Sequence, residues 1–314
     1  MYAQIARNKR RTVACIVAFL IMWTAVGAVV GLVWAAAAAP TAVPAARTGA
    51  DALTGVLVAG VLALAGVAFA LTSGARLVLA VSGARPADPD RYRQVHNLVA
   101  ALAVGEGLPT PAVYVIDDPS PNAFATGASP AHAAITVTTG LLAIMNREEL
   151  EGVLAHEMSH IKNYDVRLLL VVSTLIGMAG LLAGAVWRSG FLVEGRGRRG
   201  GQTMMIVVVA GALLGVVAVI FGPLVRLALS RQRESLADVS GVELTRNPAG
   251  LIHALQKLQS NDRPLARSNQ ATEAMCIDDP RQHRQSRFHR LFDTHPPLAQ
   301  RIAVLQGIAQ GHTV

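Results

Sequence analysis

The sequence predicts a mainly α-helical integral membrane protein in which four transmembrane helices carry a cytoplasmic α+β domain with a metal site. Three observations lead there: four long apolar runs without a charged side chain, two polar stretches between and after them, and a His-Glu-x-x-His pentapeptide in the first polar stretch. A composition of 52% hydrophobic and only 15% charged residues, with a mean hydropathy of +0.42, excludes an ordinary soluble protein. The 28 Lys and Arg outnumber the 20 Asp and Glu, giving a net charge of +8. With aromatic residues at 4%, surfaces on which bases could stack are scarce. The basic residues mostly border apolar runs, so the partner they point to is the lipid bilayer and not nucleic acid.

The apolar runs are Thr12 to Ala39, Ala52 to Leu71, Leu168 to Trp187 and Met204 to Val225, each long enough for the roughly 20 residues a spanning helix needs. Gly27 with Gly31, Gly180 with Gly184 and Gly211 with Gly215 are small-xxx-small pairs that let helix backbones approach closely. Arg7, Lys9, Arg10 and Arg11 precede the first run, which places the N-terminus and the polar stretches on the cytoplasmic side. The turn from Arg188 to Thr203 is also basic and falls on the outer side, against the same rule. Either the first hairpin dominates topology or the last two runs form a hairpin that does not fully cross.

The resulting domain organisation is an N-terminal transmembrane hairpin at 1–72, a first half of the polar domain at 73–167, a second hairpin at 168–225 and a second half at 226–314. In the first half, Ala112 to Asp118 and Ile135 to Thr139 read as strands and Ser120 to Gly127 as a turn-rich loop. A helix starts at Asn146, where Glu149 three positions on completes a capping box and apolar residues recur at helical spacing. Residues 260–290 are polar and patternless and read as a mobile loop.

The pentapeptide His156-Glu157-Met158-Ser159-His160 lies inside that capped helix. Residues four apart stack on one helix face, so both imidazoles can reach one metal ion while Glu157 projects toward a water on it. Water bound to zinc ionises near pH 7 and not 15.7, and a carboxylate in reach can take its proton. The product is a hydroxide able to attack an amide. Two cysteines, Cys15 and Cys276, exclude a cysteine zinc knuckle or a disulfide framework, so the metal must be held by His and carboxylates. A third ligand is needed. Glu234 and Asp238 sit four apart on one predicted helix, so that Glu234 can ligate while Asp238 accepts the second N–H of a ligating His. Glu243 and His253 are weaker rivals. Residues 160 and 234 can share a metal only if an even number of crossings separates them, and the sequence supplies two.

These motifs, HEMSHIKNYD at 156–165 and SRQRESLAD at 230–238, occur together with NAFATG at 122–127, TGLL at 139–142 and THPPLAQRI at 294–302. In that order, around four apolar runs, the chain resembles the HtpX-type membrane zinc metalloproteases, with their gluzincin-like HExxH domain. The resemblance implies one zinc ion per chain on His156, His160 and Glu234, and a multi-pass protein of the plasma membrane. Its implied work is hydrolysis of misfolded or damaged membrane proteins, for membrane protein quality control under stress. It further suggests an edge strand at Ala134 to Thr138, with Asn122, Ala123, Ala134 and Thr136 near an extended substrate, although Asn122 also suits a plain turn. It makes His295 a candidate oxyanion donor, the alternative being packing beside a helix capped by Thr294. Arg301 is placed near Asp238 or another carboxylate of the site. The rival readings are a membrane scaffold that no longer cuts and a zinc protease for lipidated proteins.

Overall fold

The computed structural model describes residues 2–38, 45–175, 177, 211, 231–260 and 297–310. The chain divides into two compact units: residues 1–10, 72–170 and 225–314 make one, and 11–71 with 171–224 the other.

The second of these is built on helices α1 (Tyr2–Ala38) and α2 (Ala45–Val81). Each holds an 18-residue window apolar enough to cross a bilayer, at mean hydropathy 2.6 in α1 and 2.3 in α2. The first glycine pair does what its spacing suggests. A Cβ on Gly27 would strike the carbonyl oxygen of Gly55, and one on Gly31 that of Asp51, so the two backbones touch where side chains are missing. Phe19, Trp23, Ala63, Val67 and Ala70 pack with Val171 and Leu175, while Leu57, Val61 and Leu64 stay exposed. Exposed apolar side chains on the charge-free stretch 52–75 of α2 suit lipid. Most of the third and fourth apolar runs, and the turn from Arg188 to Thr203, lie outside the described residues.

The other unit carries a four-stranded sheet in the order β1-β2-β4-β3, formed by Arg85–Pro86, Ala112–Ile116, Ala133–Thr138 and Ala123–Gly127 respectively. Strand β4 runs parallel to β2 and antiparallel to β3. Two expectations are corrected here. The stretch from Ser120 to Gly127 is not all loop, because its second half is strand β3. Nor is Ala134 to Thr138 an edge: Ala134 pairs with Ala112 and Thr126, and Thr136 with Tyr114 and Phe124. With both flanks of β4 used, the main chain at Ala134 and Thr136 has no free side for a peptide. Among the described strands the edges are β1 and β3.

Around the sheet lie α3 (Arg93–Glu106), α4 (Thr139–Ile144), α5 (Arg147–Lys162), α6 (Arg231–Thr245), α7 (Pro248–Gln259) and α8 (Leu298–Ala309). One face of the sheet, through Ala123, Ala125, Ile135 and Val137, joins the main core of Val153, Leu154, Met158, Leu251 and Leu255. Phe124 points the other way and meets Val78, Leu169 and Leu170, as the two-residue period of a strand requires. Helix α5 is central to this core because all of its residues from Gly152 to Ser159 are buried. Its start is fixed by the expected capping box: Glu149 N–H donates to Asn146 Oδ1 at 2.9 Å and Asn146 N–H to Glu149 Oε2 at 2.7 Å. Lys257 of α7 adds a 2.6 Å ion pair to the same Glu149, tying the start of the metal-site helix to a second helix. Asn146→Ala removes one arm of the box and is expected to cost about 1 kcal/mol, read as a lowered unfolding midpoint in detergent with the metal site intact.

Candidate metal centre

Helix α5 supplies His156 and His160 one turn apart, with Glu157 between them and only 3% exposed. Helix α6 supplies Glu234. What lets α6 come close enough is Gly241, whose added Cβ would sit 3.1 Å from the backbone nitrogen of His156. Glu234, Asp238 and Gly241 follow one another at four- and three-residue steps and so share a stripe of α6. The glycine sets the separation, and the two carboxylates on its stripe meet the two imidazoles.

The ligand atoms converge. His156 Nε2 and His160 Nε2 are 3.2 Å apart, and each lies 3.6 Å from an oxygen of Glu234. The three ligand atoms lie within 4.8 Å of one another, so the triad could close on one metal ion, whose donors at tetrahedral corners stand roughly 3.4 Å apart. Among the described residues, these three form the group of His and carboxylate side chains able to hold a metal. Glu243 and His253, the weaker sequence candidates, do not belong to it.

Both imidazoles are held from behind. Asp238 Oδ1 lies 2.9 Å from His156 Nδ1 and is itself gripped by Arg301, whose Nη2 and Nε donate to the two carboxylate oxygens at 2.7 and 2.9 Å. This is the Asp238 position and the Arg301 partner that the sequence suggested. His160 Nδ1 lies 3.2 Å from Asp165 Oδ2, an orienting carboxylate that sequence reasoning missed. Its one signal was an acidic residue five positions after the second His. Such hydrogen bonds fix the tautomer and leave Nε2 free to ligate.

Burial and the charge of Arg301 work against a protonated His156, yet its contacts with Asp238 and Glu234 outweigh them and lift its pKa to about 9. Burial likewise opposes the Asp238 carboxylate, but Arg301 and His156 hold it down at about 2. Of the residues expected near substrate, Asn122 is buried. Its carbonyl accepts from Thr138 N–H at 3.0 Å and its Oδ1 from Ala123 N–H at 2.8 Å, so it shapes the start of β3. His295 lies outside the described residues.

A helix-borne His pair joined by a distant glutamate, each His backed by a carboxylate, defines a metallopeptidase centre, here in a chain with membrane helices. The model of Peptidase family M48 matches residues 89–309, and the chain belongs to that family. Similar proteins include the protease HtpX homologue of Limosilactobacillus fermentum, 40% identical over 98% of this chain and 99% of its own. Those of Streptococcus thermophilus, at 39% over 98% and 99%, and Streptococcus mutans, at 40% over 98% and 100%, are alike. Among solved structures, Ste24p of S. mikatae aligns over 78% of this chain and 56% of its own, with 18% identity and a TM-score of 0.47. The chain is accordingly a membrane metalloprotease, and the scaffold reading is not favoured.

Because Arg301 is 2% exposed and Asp238 1%, Arg301→Ala strands a buried carboxylate. It is expected to destabilise the protein by roughly 3–5 kcal/mol, whereas the pair Arg301→Ala with Asp238→Ala recovers part of that loss in thermal unfolding.

Proposed function

We propose that the chain is a zinc endopeptidase that cuts misfolded or damaged membrane proteins at the cytoplasmic face of the plasma membrane. The observation that carries this reading is the convergence of His156, His160 and Glu234, whose ligand atoms lie within 4.8 Å of one another, with Glu157 buried on the same helix as the two histidines. When bound, zinc acidifies a water and polarises the scissile carbonyl. Glu157 takes the proton from the attacking water and passes it to the departing amine. Asp238, braced by Arg301, keeps His156 in the ligating tautomer, and Asp165 does the same for His160. His295 donates to the developing oxyanion.

The scissile peptide lies along β3. Since Asn122 C=O accepts from Thr138 N–H, the antiparallel alternation gives β4 the main-chain groups of Phe124 and Thr126 and directs those of Ala123, Ala125 and Gly127 outward. Asn122 Oδ1 already occupies the Ala123 N–H, which leaves Ala125 and Gly127 to pair with an extended substrate whatever its side chains. Such recognition suits unfolded segments of many sequences.

The orientation rests on two supports. The basic cluster Arg7, Lys9, Arg10 and Arg11 ahead of the first span favours a cytoplasmic N-terminus. Asn8 within that cluster donates to Asp165 at 2.7 Å, so the N-terminus and the metal site share one side. Four spans, with domain halves at 73–167 and 226–314 separated by the hairpin 168–225, complete the topology we propose.

Cleavage of an unfolded membrane protein in detergent tests the chemistry. Glu157→Gln is expected to lower kcat by about 10²–10⁴ with one zinc per chain retained, and a chelator should abolish wild-type cleavage until zinc is restored. Equal cleavage by wild type and Glu157→Gln sinks the mechanism. His295→Ala is expected to lower kcat by about 10²–10³, and a change within threefold removes its oxyanion role. Ala125→Pro, which deletes an outward N–H, should raise KM with zinc content unchanged. An unaltered KM would exclude β3 as the peptide's partner.

A further inference from the structure

The helix carrying the His pair ends at Lys162, and the turn after it holds an unusual set of contacts. On a continuous helix, residues 160 and 165 lie about 140° apart around the axis, so Asp165 could not face His160. The chain breaks instead. Tyr164 has φ 60°, a left-handed conformation that a non-glycine residue seldom adopts, and a new helical stretch runs over residues 165–175. This break turns the Asp165 carboxylate back so that Oδ2 reaches His160 Nδ1 at 3.2 Å.

The turn is held from the far end of the sequence. Asn8, 0% exposed, donates from Nδ2 both to the carbonyl of Asn163 at 2.8 Å and to Asp165 Oδ1 at 2.7 Å. Lys9 places its ammonium 4.4 Å from the centroid of the Tyr164 ring, within cation–π range. Arg233, the neighbour of the glutamate ligand, stands 3.5 Å from the same Asp165 Oδ1. Asn8 thereby fixes the residues on either side of the left-handed position, and Lys9 contacts the ring at that position itself.

We infer that Asn8 is a positioning residue of the metal centre: it fixes the Asn163–Asp165 turn so that Asp165 orients His160 for the metal. The inference rests on the metal-site reading above and adds to it a residue from the segment that leads into the first span. Both carboxylate oxygens of Asp165 are assigned by it, Oδ1 to Asn8 and Arg233 and Oδ2 to the ligand His.

The test uses the full-length chain in detergent, carrying Glu157→Gln to prevent self-cleavage, and titrates Co²⁺ and Zn²⁺ against a competing chelator. Asp165→Ala is expected to weaken metal binding about 10–100-fold and to alter the visible absorption of the cobalt form. Asn8→Ala is expected to weaken it several-fold with a cobalt spectrum shifted in the same sense. In the Asp165→Ala background, Asn8→Ala should add nothing, because its effect travels through that carboxylate. An Asn8→Ala protein with wild-type metal affinity and cobalt spectrum, even if its unfolding midpoint drops, overturns the inference and leaves Asn8 as a structural cap. An Asn8→Ala loss that persists undiminished on top of Asp165→Ala overturns it too. If the parent protein itself takes up no metal, the metal-site reading fails and not merely this extension of it.

Discussion

The structure depends on placing acidic side chains where water is nearly excluded. Glu157, Glu234 and Asp238 are each no more than 3% exposed, and an uncompensated buried carboxylate costs several kcal/mol. Arg301 answers Asp238 with a two-point contact, the most favourable geometry a guanidinium offers. Glu234 has the two imidazoles before it, each 3.6 Å from one of its oxygens. A divalent ion would satisfy the two Nε2 atoms and the carboxylate together, which a proton cannot.

From that constraint the packing follows. The acids must arrive on a helix lying against α5, and bulk at position 241 would hold it off. Burying α5 from Gly152 to Ser159 removes water from the imidazoles, and the capping box with Lys257 keeps its first turn from fraying. The apolar core thus excludes solvent from the charges while the charges fix the register of the helices. Dispersion and electrostatics act on the same few helix pairs.

Much of the centre was legible because helical spacing is local information. His156 with His160 and Glu234 with Asp238 were found from four-residue steps, Glu157 from its place inside the first pair, and the cap at Asn146 from the three-residue step to Glu149. Asp165 was missed because its approach to His160 needs the chain to leave helical geometry at Tyr164, and nothing in Asn-Tyr-Asp announces a positive φ. Asn8 stood in a row of cationic residues and read as membrane flank. Strand β3 escaped for a different reason. Ala-Phe-Ala-Thr-Gly has few β-branched residues and little alternation, so pairing to β4 and burial on both faces decide its conformation. Misreading β4 as the edge has the same origin, since strand order is set by tertiary contacts.

The centre is also distributed along the chain to a degree that couples it to folding. One imidazole is oriented through Asp238 and Arg301, which lie 82 and 145 residues from His156, and the other through a turn held by Asn8, 157 residues before Asp165. None of these groups is placed by its sequence neighbours alone, so a competent site requires the N-terminal segment, both halves of the polar unit and α8 to be in position. Binding energy at such a site is folding energy, because the unfolded chain offers no comparable donor set. A partly assembled chain therefore holds its ligands loosely. For a metalloprotease, the chemistry then becomes available only after the fold that confines it is complete.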